Sequence, residues 1–65
     1  MNDYTFWEEN KDEVRAILIC NGINDTTEYT KGDSGKILEW IKGDAVKIQL
    51  SQGTVWVCEW QFKVV

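Results

Sequence analysis

From residue 35 onward, apolar and polar side chains alternate along the chain. Gly35, Ile37 and Glu39 point to one side of an extended segment, and Lys36, Leu38 and Trp40 to the other. Val46, Ile48 and Leu50 alternate with Lys47 and Gln49, the pattern of a half-buried strand. Val55 and Val57 alternate with Trp56 and Cys58, and a last short piece, Phe62-Lys-Val-Val65, suits a sheet edge. Between these runs, Lys42-Gly43-Asp44 reads as a turn, and Ser51-Gln52-Gly53 as a hairpin connection with glycine in the left-handed region. Parity sends Ile37, Val46, Ile48, Leu50, Val55 and Val57 to one interior. Trp40 and Trp56 then fall on the reverse face, with Leu38 and Cys58 nearby, and Trp60 shares the parity of Trp56 if that strand runs on.

The N-terminal half is less regular. Residues 1–13 are polar and acidic but carry Tyr4, Phe6 and Trp7. Thr5 followed by Glu8 has the capping-box spacing, which predicts a short helix starting near Phe6 with Trp7, Lys11 and Val14 on one face. Val14-Arg-Ala-Ile-Leu-Ile-Cys20 reads either as the end of that helix, stopped by Gly22, or as a first strand rich in branched residues. A closing barrel needs a strand there, which favours the second reading. Residues 21–34 form a long polar loop ending in Lys31-Gly-Asp-Ser-Gly35, where glycine, Asp and Ser suit a tight turn. Short strands joined by tight turns after a long first loop have the spacing of a small all-β barrel. The expectation is a single domain over 1–65, with 1–13 as an extension and 14–65 as the barrel.

Size and charge narrow what such a domain does. A chain of 65 residues buries only about 60% of its unfolded surface, leaving little room for a large cofactor or a deep cleft. Seven basic residues against eleven acidic ones give a net charge of −4, and the lysines are scattered. Duplex binding by a basic patch is therefore disfavoured, while an acidic surface suits both solubility and a basic protein partner. The apolar run at 16–20 is too short for a secretory or membrane segment, so the expected setting is cytoplasmic with reduced thiols. Cys20 and Cys58 are expected to pack as small buried hydrophobes, with a disulfide between them left open if their strands are neighbours.

Candidate chemistry is thin. Gly32-Asp-Ser-Gly35 matches the nucleophile segment of chymotrypsin-like serine proteases, yet the chain has no histidine to take the Ser34 proton. Gly35-Lys36 fails as a phosphate loop, because Thr30 and Ile37 stand where that motif needs glycine and Ser or Thr. Two cysteines so far apart give no zinc spacing. Asp25, Glu28 and Asp33 could gather on a hard cation, but loop carboxylates are ordinarily just solvated. Neither a catalytic residue nor a metal or cofactor site is expected.

Lys31-Gly-Asp-Ser-Gly-Lys-Ile37, Val46-Lys-Ile-Gln-Leu50, Gly53 and the terminal Phe62-Lys-Val64 resemble SH3-like barrels related to KOW motifs. In particular they resemble small bacterial and phage proteins with a Val-Arg start, a Gly-Asp-x-Gly-x-Val/Ile turn and a terminal Phe-x-Val. The Val14-Arg15 pair fits that start and supports the strand reading. The resemblance covers about residues 14–65 through turn and core positions, which specify a fold and not an activity. It implies an SH3-like antiparallel barrel, and the tryptophans are not part of it.

Four tryptophans, where ordinary usage gives about one, are the informative excess. In one reading Phe6 and Trp7 fold back over the reverse face as a second small core. In the other, Trp40, Trp56 and Trp60, flanked by Tyr29, form a contact stripe for a protein or peptide, or for a second copy of the chain. The expected function is a non-enzymatic protein-interaction module using that stripe. A small acidic phage-type inhibitor of a host protein, or a nucleic-acid or ribosome-associated accessory domain, are the alternatives.

Overall fold

The computed structural model describes residues 3–65, so residues 1 and 2 of the N-terminal extension lie outside the described residues. The first element is a short helix, α1 (Asp3–Glu9). It starts upstream of the predicted Phe6, and Thr5 sits inside it instead of capping it. Tyr4 Oη donates to Glu8 Oε2 one turn on, at 3.1 Å, and Asn10 Nδ2 donates to the Phe6 carbonyl near the helix end. The chain then enters β1 (Ala16–Leu18), which confirms the strand reading of this segment.

The long polar loop predicted over 21–34 is in part ordered sheet. β2 (Gly22–Asn24) and β3 (Thr27–Tyr29) form a separate hairpin, with Asp25 taking a left-handed φ of 58° in its turn. Gly22 pairs directly with Tyr29, and a Cβ there would collide with the Tyr29 ring. Bare backbone at position 22 lets that ring approach the neighbouring strand closely.

The meander follows as predicted: β4 (Ser34–Trp40), β5 (Ala45–Leu50) and β6 (Gly53–Cys58). A 3-10 turn (Glu59–Gln61) leads into β7 (Phe62–Val64), which pairs at the edge with β1. The main sheet runs β6-β5-β4-β1-β7, all pairs antiparallel. Gly35 lies so close to the Gln49 backbone that any Cβ would strike its carbonyl, which accounts for glycine at the β4–β5 crossing. The whole is mostly β, a curled antiparallel sheet forming a half-barrel with one short N-terminal helix, consistent with the small all-β barrel expected from the sequence.

The interior holds Ile37, Val46, Ile48, Leu50, Val55 and Val57, as alternation predicts, together with Val14, Ala16, Leu18 and Phe62. Trp7, Tyr29 and Trp40 join the same cluster. Trp40 is where strict alternation fails. Ile37 pairs with Ile48, but Glu39 then pairs with Lys47 and Trp40 with Val46, so Leu38 is an extra residue that bulges the strand. A bulge restarts the two-residue period and turns the strand. Leu38 and Glu39 therefore both face outward, and Trp40 swings into the core at 9% exposure.

Candidate functional site

The four residues predicted to form a contact stripe divide into two pairs. Trp40 and Tyr29 are buried, so they leave the predicted surface. Trp56 is half-buried on the outer face, and Trp60 is 71% exposed.

Trp40 belongs to an aromatic cluster at one end of the barrel. Its ring meets Tyr4 edge-on at 5.5 Å between centroids, Phe62 at 5.2 Å and Trp7 at 5.7 Å. Tyr4 in turn meets Trp7 at 5.8 Å. The helix thus seals this end from within the single core, where a second layer over the outer face was the expected structural role; Phe6 instead remains partly exposed. Such ring pairs contribute about 0.5–1.5 kcal/mol beyond area burial. Trp40 Nε1 donates to Glu59 Oε2 at 2.6 Å, and the Gly43 N–H donates to the same oxygen at 3.2 Å. These donors, the Trp40 indole foremost, hold the Glu59 carboxyl below its ordinary pKa, and Lys42 adds to the effect while desolvation opposes it. The buried Trp7 Nε1, by contrast, has no hydrogen-bond partner among the described residues.

The surface beside this cluster is built from the β2–β3 hairpin and the 3-10 turn, whose Glu59 and the Phe62 that follows it both contact Trp40. Asn24 Oδ1 accepts the Trp56 N–H at 3.0 Å, so the hairpin caps the otherwise open edge of β6. Gln61 ties the turn down: its Oε1 accepts the Cys58 N–H at 2.7 Å, and its Nε2 donates to Tyr29 Oη at 3.1 Å and contacts Cys20 Sγ at 3.6 Å. Gln52 Nε2 adds bonds to the Glu28 carbonyl and Asp33 Oδ2, both at 2.9 Å. With its base fixed this way, the turn projects Trp60 into solvent. Parity places Trp60 on the outer face only if β6 continues to residue 60; the 3-10 turn ends that strand at Cys58, and Trp60 is exposed because of the turn.

A groove of about 450 Å³ opens on this hairpin, lined by Asn21, Gly22, Ile23, Glu28, Tyr29 and Thr30. Ile23 and Glu28 are cross-strand partners, and Ile23 is 62% exposed. Neither the groove nor the hairpin was visible in the sequence, although Ile23 alone among the polar residues 21–28 was a signal for it. On the outer sheet face, Lys47 pairs with Trp56 across the strands and places its ammonium 6.0 Å from the ring centroid.

The motifs of the first loop have structural duties. Asp33 accepts the Thr30 N–H at 2.9 Å as well as Gln52, and these bonds lower its pKa. Ser34 begins β4 opposite Ile17. Both thiols are free; Cys20 is half-buried, but Cys58 is exposed instead of packing inside as expected. Among the described residues no group of three or more Cys, Asp or Glu side chains is placed to hold a metal ion. No helix there is long and apolar enough to cross a membrane.

No family model, curated protein or solved structure matches this chain. What the molecule offers a partner is consequently read from its own geometry. It comprises a turn whose Gln61 is hydrogen-bonded to Cys58 and Tyr29 and which presents the exposed Trp60 indole, and a groove on the β2–β3 hairpin with Ile23 at its rim.

Proposed function

We propose that the chain is a non-enzymatic, cytoplasmic protein-interaction module whose contact surface is that of the hairpin and 3-10 turn, centred on Trp60 with Trp56 and Ile23 around it. The observation that carries this reading is the 71% exposure of Trp60 on a turn whose base is fixed by Gln61. An indole left in water gives up the burial that makes tryptophan useful to a small core. A rigidly held aromatic side chain is also the kind of group that supplies binding energy at interfaces, because little conformational freedom is lost on contact. Trp60 stands outside the buried cluster that forms the core.

Panning the folded domain against a random-peptide display library, then titrating recovered peptides onto Trp60→Ala, tests this reading. Binding to the wild type that falls about tenfold in Trp60→Ala, with thermal stability unchanged, supports it. Peptides that bind Trp60→Ala as tightly as the wild type would place the contact surface elsewhere.

A further inference from the structure

Lysine ammonium groups sit over three of the aromatic rings. Lys11 Nζ lies 4.8 Å from the Trp7 centroid, Lys42 Nζ 5.6 Å from Tyr4, and Lys47 Nζ 6.0 Å from Trp56. Among the described residues no cation stands over Trp60, the most exposed of the large hydrophobic side chains. The segments that carry the groove and the turn are acidic. Between residues 21 and 33 the chain carries Asp25, Glu28 and Asp33 against Lys31 alone. Glu59, next to Trp60, is held in its charged form by the Trp40 and Gly43 N–H groups. Tyr29, one of the residues lining the groove, accepts a hydrogen bond from Gln61 of this turn, and the exposed Glu28 lines the groove beside Ile23.

We propose that the partner is an extended peptide segment bearing lysine or arginine, with its cation on the face of Trp60 and its chain running along the groove past Ile23 and Glu28. The inference rests on the interaction-module reading and specifies the chemistry of the partner. An indole face attracts a cation through its quadrupole, and a guanidinium can also stack on it. The net charge of −4 steers basic segments toward the protein and repels acidic peptides and nucleic-acid phosphates. Ile23 supplies apolar contact for the aliphatic stems of long basic side chains.

An array of short peptides of about nine residues, with Arg or Lys, Asp or Glu, or Leu or Phe fixed at the centre, is probed with the full chain, and the best binders are titrated in solution. Arg- and Lys-centred peptides are expected to bind at least about tenfold more tightly than the other classes. Trp60→Ala then loses about tenfold, Trp60→Phe keeps most of the affinity, and Glu28→Gln loses a few-fold. Binding also weakens as salt rises from about 50 to about 500 mM. Should Leu- or Phe-centred peptides win, with binding insensitive to salt but lost in Trp60→Ala, the basic partner is wrong while the interaction module stands. Basic peptides that bind Trp60→Ala undiminished would show charge attraction away from the indole and overturn the proposal. Failure of every peptide class, or binding of oligothymidylate through Trp60 instead, would overturn both readings.

Discussion

Two adjoining regions of this fold use tryptophan in opposite ways. In the aromatic cluster Trp7 and Trp40 close the core with Tyr4 and Phe62, and α1 contributes side chains to the same interior as the strands. In the region of the hairpin and 3-10 turn Trp56 lies on the outer sheet face and Trp60 is exposed, although Asn24 and Gln61 side chains accept the Trp56 and Cys58 N–H groups. Aromatic content alone therefore says little about a binding face; the local backbone decides which way each ring points. A one-residue bulge buries Trp40, and a single turn of 3-10 helix exposes Trp60.

Truncation should separate the two regions most sharply. Trp40→Ala removes a large side chain from the core and is expected to cost about 3–5 kcal/mol, comparable to the whole stability of a domain this small. Trp60→Ala should stay within about 0.5 kcal/mol of the wild type. Urea denaturation followed by far-ultraviolet circular dichroism measures both. Equal losses would erase the distinction between the two regions.

A smaller effect distinguishes the two buried indoles. Trp7→Phe keeps an aromatic ring and removes a buried donor that has no partner among the described residues, so it is expected to cost less than about 1.5 kcal/mol. Trp40→Phe takes the indole donor away from Glu59 and should cost more than Trp7→Phe. The same denaturation series ranks them, and the reverse order would contradict the hydrogen-bond assignments.

The smallest effect concerns pH and links the two regions through Glu59. Its carboxyl is held below the ordinary value in the folded protein, chiefly by the Trp40 N–H. Its contribution to stability is therefore present above the unfolded pKa and is lost as pH falls through the folded one. Wild-type stability should decline on acidification below about pH 5, and Glu59→Gln should decline less steeply over that interval. Thermal melts of the two proteins across the acid range provide the check; parallel curves would mean that this carboxylate does not couple to folding.

Much of the fold was legible because β5 and β6 obey a two-residue period with no interruption, and because the turns at Lys42-Gly43-Asp44 and Ser51-Gln52-Gly53 carry the residues such turns require. The site was legible only in part. Leu38 is apolar and fits the alternation, so nothing in its chemistry announces that it is the extra residue of a bulge. The β2–β3 hairpin has strands of three residues with a single exposed isoleucine, too short for a periodic signal to rise above a polar loop. Tyr29 is buried through a contact with Gly22 seven positions earlier, which depends on the hairpin register and not on local composition. Alternation sends Trp60 outward only if β6 runs on, and that strand ends at Cys58.

Hydrogen exchange at the four indole N–H groups, followed by nuclear magnetic resonance after transfer into heavy water, tests the partition of the tryptophans most directly. The account predicts that the buried, hydrogen-bonded Trp40 signal decays slowest and that Trp60 is exchanged by the first spectrum. A Trp60 signal as long-lived as that of Trp40, or a Trp40 signal lost at once, would contradict it.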